Sequence, residues 1–149
     1  MNWQIKKYNE LTTDEIYEIL RVRNEVFVVE QKCPYQDCDS KDKSAYHLFS
    51  MEDGNIISYL RVLEKGISYK EISIGRVLVA KNARGKGLAK EGISKAINFI
   101  RNNLKEASIR ISAQAYLISF YKTLGFSEVS EVYLEDDIPH IEMLYLYKC

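Results

Sequence analysis

The chain has 149 residues, 46% hydrophobic and 28% charged, which is typical of a globular domain and excludes a largely disordered one. Basic and acidic residues number 21 each, so the overall positive excess that a general nucleic-acid binder needs is missing. No apolar run is long enough to span a membrane, and the first ten residues lack the apolar core of a signal peptide. We therefore expect a single domain over residues 1–149 that is located in the cytoplasm and has neither nucleic acid nor membrane as a partner.

The first third of the chain predicts a strand, a capped helix and an acidic loop. Residues 4–8 are expected to form a short strand, and Thr12 and Glu15 have the spacing of a capping box at a helix start. The helix ends before Pro34, because the residue preceding a proline is disfavoured in the helical conformation. The polar, acidic stretch 31–44 is typical of a long loop, which either lines a site or is a solvated connector.

The rest of the chain mixes strands with two further helices. Residues 53–55 (Asp-Gly-Asn) tolerate the positive φ angles of a tight turn and predict a hairpin between the strands on either side. A helix with an apolar face of period 3.6 follows the loop 81–87 and runs to about Leu104. The other expected elements are strands over 46–52, 56–64, 71–80, 108–113, 127–133 and 141–147, a short helix over 117–124 stopped by Gly125, and a loop over 135–140. This order predicts an α/β sheet covered by helices.

The three cysteines, Cys33, Cys38 and Cys149, show no paired spacing that would indicate disulfides, and in a reducing compartment they stay as thiols. Cys33 and Cys38 with His47 would supply three zinc ligands, but a structural zinc site needs four. We therefore expect no metal site.

The stretch 74–89 carries the strongest functional signal, because a buried strand leads into a glycine-containing turn and then into a helix N-terminus. The first amides of a helix have no partner within it, the helix dipole adds positive charge there, and glycines let the backbone approach a ligand. These features predict a cradle for phosphate or diphosphate. The P-loop pattern fails because Ala80 stands at its first glycine, and the dinucleotide fingerprint fails because Lys90 stands at its third.

What remains is Arg84-x-x-Gly87-x-Ala89, which resembles the coenzyme A signature of the GNAT superfamily of N-acetyltransferases. Its position directly after a buried strand strengthens the resemblance, and residues 120–126 (FYKTLGF) resemble the late helix and following turn of that superfamily. Three further stretches resemble its ElaA branch, namely 25–31, 33–37 and 138–140.

The resemblance implies a single-domain GNAT-like α/β fold, with a mixed central sheet of about six to seven strands flanked by helices, and acetyl transfer from acetyl-CoA to a primary amine. Leu78 and Val79 would pair their main chain with the pantetheine arm. Gln114 stands where relatives often place an asparagine facing the cofactor, and Tyr121 matches a tyrosine near the thioester sulfur. The amides that would hold the diphosphate are those of Arg84, Gly85, Lys86, Gly87, Leu88 and Ala89.

The chemistry of acetyl transfer asks for a base and an acid, since the amine must lose a proton and the departing thiolate gains one. Tyr121 is the candidate acid, and the alternative is a half-buried tyrosine that serves packing. Glu30, Glu71 and His140 are the candidate bases, and imidazoles titrate near neutral pH. His140 falls in a late loop that approaches the acceptor in relatives, or it is simply a structural or surface histidine.

The acceptor side is less defined. Glu30 and Tyr35 either line the acceptor pocket or are helix-end and loop residues, and Arg21 and Arg23 either hold an acidic part of the acceptor or form salt bridges. The acceptor is expected to be a small-molecule or peptide amine.

Other interpretations stay open at this point. Three apolar or aromatic residues near the C-terminus serve either the core or a homodimer contact: Met143, Tyr145 and Tyr147. The chain could also be a non-catalytic module that binds or senses acyl-CoA, or an interaction domain in which the glycine loop is only a turn.

Overall fold

The computed structural model describes residues 2–147, which form one mixed sheet with helices packed against it. The strands within that range are β1 (Asn2–Lys7), β2 (Tyr46–Glu52), β3 (Asn55–Leu63), β4 (Ile72–Val79), β5 (Ser108–Gln114), β6 (Phe126–Glu128), β7 (Tyr133–Glu135) and β8 (Ile138–Leu146). The helices are α1 (Thr13–Arg23), α2 (Leu88–Asn102) and α3 (Ile118–Thr123), with a π-helix over Asn24–Glu30. The strand order is β1-β2-β3-β4-β5-β8-β6, and β7 pairs with β8 beside this path. The predicted α/β fold with a mixed sheet and flanking helices is confirmed, and the prediction for Cys149 lies outside the described residues.

The first helix starts as predicted but changes its winding halfway along. Thr12 caps α1, because its hydroxyl accepts from the Glu15 N–H and the Glu15 carboxylate accepts from the Thr12 N–H. After Arg23 the chain continues as the π-helix, and the N–H of Cys33 donates to the Val28 carbonyl at 3.1 Å, which is i→i+5 bonding. Helices of this kind are rare and often mark functional sites.

The C-terminal segment differs from the prediction. The expected strand 127–133 is two short strands, β6 and β7, so the sheet has eight strands within the described range rather than six to seven. The expected loop 135–140 is a two-residue turn at Asp136 and Asp137, with φ angles of +50° and +63°. Aspartate tolerates this left-handed conformation, and two consecutive positive φ angles suit a tight hairpin. His140 therefore lies in β8 and not in a loop.

The main core lies between α2 and the sheet. The apolar face of α2 is buried as its period predicts, and it packs on side chains of β2, β3, β4 and β5. Met143 is fully buried in this core and Tyr145 packs against it, while Arg101 lies 4.2 Å from the ring centre of Tyr147. Met143 and Tyr145 thus belong to the core, one of the two roles left open for them.

The strands β4 and β5 diverge, and a cleft forms between them. The two parallel strands pair only at Ile72 with Ile109 and at Ser73 with Arg110, near their first residues. Further along, the pairing of β4 with β3 shifts by one residue and Arg76 adopts a φ of +52°, so β4 carries a bulge. Of the helices in residues 2–147, none combines the length and the apolar character needed to cross a bilayer.

Candidate active site

A cleft of about 360 Å³ lies between the diverging ends of β4 and β5, within the usual size range of small-molecule pockets. Besides these two strands, its walls come from the π-helix and the loop after it, from the start of α3, and from the β7–β8 turn. The predicted site residues that line it are Glu30, Tyr35, Leu78, Val79, Arg84, Gln114, Tyr121 and His140. The sequence thus identified residues from distant parts of the chain that the fold brings together.

The end of β4 presents main-chain groups to this cleft. Ala80 donates its N–H to the Ile57 carbonyl on β3 at 2.8 Å, and Val79 lies opposite Ser58 in the register. Because peptide groups alternate sides along a strand, the N–H and C=O of Val79 point away from β3 and into the opening. Leu78, by contrast, pairs with Tyr59 on β3.

The loop before α2 has the features expected of an anion cradle. Gly85 and Gly87 have φ angles of +85° and +75°, and a Cβ at either position would have no atom within 4 Å. Gly87 is the N-cap of α2 and supplies no side-chain cap, so the first amides of the helix keep their hydrogens for an external acceptor. Leu88 is buried against Ile57 and Ala83, and this contact fixes the end of the loop at the start of α2. The loop is open and contains glycines, and the N–H groups at the start of α2 have no partner within the helix. A diphosphate fits such a loop.

Arg84 links this loop to the opposite wall of the cleft. Its terminal nitrogens donate to both carboxylate oxygens of Glu30, one at 2.9 Å, and its Nε donates to the Val79 carbonyl at 3.0 Å. The hydrogen bonds from Arg84 hold the pKa of Glu30 below its ordinary value. Glu30 is therefore a poor proton acceptor. Glu71 is hydrogen-bonded by Arg110 in the same way and does not line the cleft, so His140 is the best placed of the three candidate bases.

Tyr121 projects from α3 with 7% of its surface exposed, and its ring makes edge contacts with Phe120 and Phe126. Within residues 2–147 nothing is hydrogen-bonded to its hydroxyl, and Tyr121 is one of the residues that line the cleft. Burial raises the pKa of Tyr121 to about 12. The phenol consequently stays protonated at neutral pH and can donate, while its ring also serves packing.

His140 is also 7% exposed, so it is not a surface histidine. Its Nδ1 lies 2.7 Å from the Ile138 carbonyl oxygen, and its Nε2 lies 3.4 Å from a carboxylate oxygen of Glu135. The ring of Tyr133 stacks on the imidazole, with centroids 6.3 Å apart. Opposite His140 on β5, the Gln114 amide donates to the side-chain carbonyl of Gln31 at 3.3 Å and so bridges two walls of the cleft.

The acidic loop after the π-helix is held by a buried ion-pair network that the sequence analysis did not anticipate. Its three aspartates pair with arginines from α1, β3 and β4, and the members of the network are Asp37, Asp39, Asp42, Arg23, Arg61 and Arg76. The loop is therefore not a solvated connector. Three aspartates within six residues were a visible signal, but their partners are far away in the sequence.

This network decides two open points. The Tyr35 hydroxyl donates to Asp37 at 3.0 Å and the Arg76 guanidinium lies over its ring, so Tyr35 is fixed in the cleft wall. Arg23 is fully buried in the network, and Arg21 pairs with Glu18 and Glu25 on the surface, so both arginines form salt bridges within the protein.

Cys33, Cys38 and His47 do not form a cluster with the geometry of a metal site. The Cys33 thiol donates to the Asp136 carbonyl at 3.4 Å, and Cys38 is exposed. His47 is hydrogen-bonded to the Tyr59 hydroxyl and the Asp42 carbonyl. In the part of the chain that the structure describes, no three His, Cys, Asp or Glu side chains are arranged to hold a metal ion.

Comparisons with known proteins agree with this architecture. A family model described as an acetyltransferase (GNAT) domain matches residues 9–146. The chain is 36% identical over 145 residues to protein ElaA of Escherichia coli K12, covering 96% of this chain and 95% of ElaA. The crystal structure of an acyl-CoA N-acyltransferase from Pseudomonas aeruginosa is 41% identical with a TM-score of 0.92, covering 97% of this chain and 99% of that one. The crystal structure of E. coli ElaA superposes with a TM-score of 0.90, with coverages of 97% and 99%.

Proposed function

This chain belongs to the GNAT acetyltransferase family, and we propose that it moves an acetyl group from acetyl-CoA to a primary amine by direct attack of the amine. The observation that carries the proposal is the cleft between β4 and β5, which gathers a main-chain donor at Val79, the hydroxyl of Tyr121 and the imidazole of His140. The glycine loop that follows β4 supports an acyl-CoA donor, and solved relatives include an acyl-CoA N-acyltransferase.

The donor end of the cleft is assigned to the end of β4 and the loop after it. The open N-terminus of α2 suits a diphosphate, and the residues proposed to hold it with their amides are Arg84, Gly85, Lys86, Gly87, Leu88 and Ala89. The N–H of Val79 lies on the cleft side and is proposed to pair with the pantetheine arm or to stabilise negative charge that develops on the acyl oxygen.

Acetyl-CoA, when bound, supplies a thioester carbonyl that an amine can attack. His140 is proposed to take a proton from the amine, because an alkyl amine with a pKa of about 10.4 is almost fully protonated at neutral pH. Tyr121 is proposed to donate a hydrogen bond and a proton to the departing sulfur. Cys33 also lines the cleft, but its thiol donates to a carbonyl and not to a base, which favours direct transfer over an acyl-cysteine intermediate.

The test is a pair of measurements on the purified chain. We expect saturating acetyl-CoA to raise the melting temperature, since a ligand that binds only the folded state stabilises it by mass action. We also expect release of free coenzyme A thiol when a panel of primary amines is offered. The absence of any thermal stabilisation by acetyl-CoA would contradict the proposal.

The alternative function is a non-catalytic module that binds or senses acyl-CoA. It predicts stabilisation by acetyl-CoA without thiol release for any amine. The single-domain extent over residues 1–149, the cytoplasmic location and the homodimer contact remain predictions from the sequence.

A further inference from the structure

Two polar side chains lie side by side without a hydrogen bond in the part of the cleft that β7 and β8 line, here named its acceptor end. His140 Nε2 lies 3.4 Å from Glu135 Oε2, and the two side chains are 9% and 50% exposed. Both residues line the cleft, one from β8 and the other from the end of β7. The imidazole is therefore a buried polar group whose free nitrogen is directed at a partly solvated carboxylate.

The proton positions follow from the neighbours of His140. The Ile138 carbonyl oxygen, 2.7 Å from Nδ1, can only accept a hydrogen bond, so Nδ1 carries a hydrogen. In the neutral imidazole Nε2 then has a lone pair, and this lone pair faces an ionised carboxylate that also can only accept. A donor that lies beside two such acceptors can bond to each of them, and a group with two or more N–H bonds satisfies both.

The charge around this pair of residues is negative. The cleft is lined by five carboxylate or guanidinium side chains and one histidine, which are Glu30, Arg76, Arg84, Glu135, Asp136 and His140. Glu30 and Arg84 neutralise each other, and Arg76 is paired with the aspartates of the acidic loop. Glu135 and Asp136 have no lysine or arginine partner among the described residues, so the excess charge at the acceptor end is that of two carboxylates.

The other groups packed around His140 do not change this balance. Tyr133 stacks on the ring and its hydroxyl is hydrogen-bonded to Ser112 on β5. Glu142, two residues further along β8, is paired with Arg110. Gln114, opposite His140 in the β5–β8 register, is neutral and engaged with Gln31.

We propose that Glu135 and His140 form the ammonium subsite of the acceptor, and that this protein therefore prefers aliphatic amines that carry a positive charge at neutral pH. The inference rests on the proposed function. The ammonium enters with one N–H directed to Glu135 and another to His140 Nε2. One N–H bond then breaks, the proton moves to Nε2, and the electron pair stays on the amine nitrogen. The imidazolium that results is stabilised by the carboxylate of Glu135.

The rest of the reaction balances without a further reagent. The neutral amine forms the new C–N bond to the acyl carbon as the C–S bond breaks. A second proton leaves the amine nitrogen and reaches the sulfur, which has lost its acyl group, through the hydroxyl of Tyr121. His140 returns its proton to solvent when the product leaves.

The test compares Glu135→Gln with the matched control Glu131→Gln, which removes the same charge from an exposed residue of the neighbouring loop outside the cleft lining. With butylammonium as acceptor, we expect Glu135→Gln to raise KM roughly tenfold or more, the size of a lost charge-assisted hydrogen bond. With aniline, which is uncharged at neutral pH, we expect KM to change by less than about twofold. Equal effects on the two amines, or none on either, would overturn the proposal.

A second readout does not depend on turnover. The chain has two histidines, so NMR can follow the His140 ring and assign it with a His140→Asn variant. Butylammonium added without acetyl-CoA should shift the His140 resonances in the unsubstituted protein and not in Glu135→Gln. No shift at saturating butylammonium would overturn the subsite, whereas missing stabilisation by acetyl-CoA would overturn the proposed function.

Discussion

Arg84 and Glu30 join the two walls of the cleft through a bidentate ion pair, while the same guanidinium holds the carbonyl oxygen of Val79 at 3.0 Å. The pair connects the last residue of the π-helix with the loop before α2. Both side chains are more than a third exposed, so the pair adds little to overall stability. We expect its main effect to be on the position of the loop proposed to bind the diphosphate.

Replacement of Glu30 by Gln tests this positioning. We expect the affinity for acetyl-CoA to fall severalfold, while the free energy of unfolding changes by less than about 1 kcal/mol. Isothermal titration with acetyl-CoA and urea unfolding measure the two quantities. Glu25→Gln is the control, because Glu25 belongs to the same π-helix and forms an exposed ion pair with Arg21. An equal loss of acetyl-CoA affinity in both variants would contradict a specific role of Glu30.

Gly87→Ala tests the anion cradle. The left-handed φ of +75° makes alanine unfavourable by about 1 kcal/mol, and the new Cβ would project into open space at the start of α2. Gly54→Ala is the matched control, since Gly54 has a φ of +79°, also with nothing within 4 Å, and belongs to the β2–β3 turn and not to the glycine loop. We expect similar losses of stability in urea unfolding, but a loss of acetyl-CoA affinity of about tenfold or more only in Gly87→Ala. Unchanged affinity in Gly87→Ala would argue against the cradle.

Tyr121→Phe tests the proposed acid. We expect kcat to fall by about a hundredfold, the usual size of a general acid contribution, with little change in acetyl-CoA affinity. Tyr116→Phe is the control, because Tyr116 also lines the cleft but is 75% exposed. Steady-state kinetics and titration calorimetry separate the two effects, and unchanged turnover in Tyr121→Phe would remove this residue from the acid role.

The alkaline side of the pH profile gives a further check on Tyr121. Since burial raises its pKa to about 12, the hydroxyl keeps its proton well above the pH at which an exposed tyrosine ionises. We therefore expect no decline of kcat from ionisation of this phenol between about pH 8 and pH 10. A decline in that range that disappears in Tyr121→Phe would be inconsistent with the buried phenol.

Asp42→Asn tests the ion-pair network that holds the acidic loop. Burial by itself raises the pKa of Asp42, but the hydrogen bonds and charges of Arg23 and Arg61 outweigh it and lower the pKa below its ordinary value. The ionised carboxylate thus stabilises the fold above about pH 4, the value in an unfolded chain, and this contribution is lost as pH falls through the lower folded value.

We expect Asp42→Asn to lose about 3–5 kcal/mol at neutral pH, since two buried guanidiniums lose their shared partner. Its stability should also depend less on pH below about pH 4 than that of the unsubstituted protein. Urea unfolding at several pH values measures both effects. Asp14→Asn, at an exposed position of α1 outside the network, should change stability by less than about 1 kcal/mol. If the stabilities of Asp42→Asn and Asp14→Asn depended equally on pH below about pH 4, the lowered pKa of Asp42 would be contradicted.

The predictable parts of the molecule are those in which a local pattern decides the structure. The capping box at Thr12 and Glu15, the Asp53-Gly54 turn and the apolar face of α2 depend on neighbours within a few residues, and all three were correctly anticipated. The glycine loop belongs to the same class, since strand, glycines and helix start are contiguous in the sequence.

The parts that escaped prediction depend on contacts between distant residues. The aspartates of the acidic loop look solvent-exposed in the sequence because Arg23, Arg61 and Arg76 approach them only after α1, β3 and β4 have assembled. The sequence predicted a loop over 135–140, whereas the tight Asp136-Asp137 turn places Glu135 beside His140. The proximity of these two side chains could therefore not be predicted. The change from α-helix to π-helix after Arg23 has no signal that the apolar spacing reveals.

The two ends of the cleft have different origins in the chain. The donor end as proposed is a single stretch from Leu78 to Ala89, of which Leu78, Val79 and Arg84 line the cleft. The acceptor end as proposed combines residues from three separated segments around Tyr35, Gln114 and His140. If these proposals hold, we expect a substitution in the β7–β8 turn to change which amine is accepted without weakening the binding of acetyl-CoA. Variation among related proteins should accumulate at this turn and in the acidic loop, so new acceptors can evolve on an unchanged donor half.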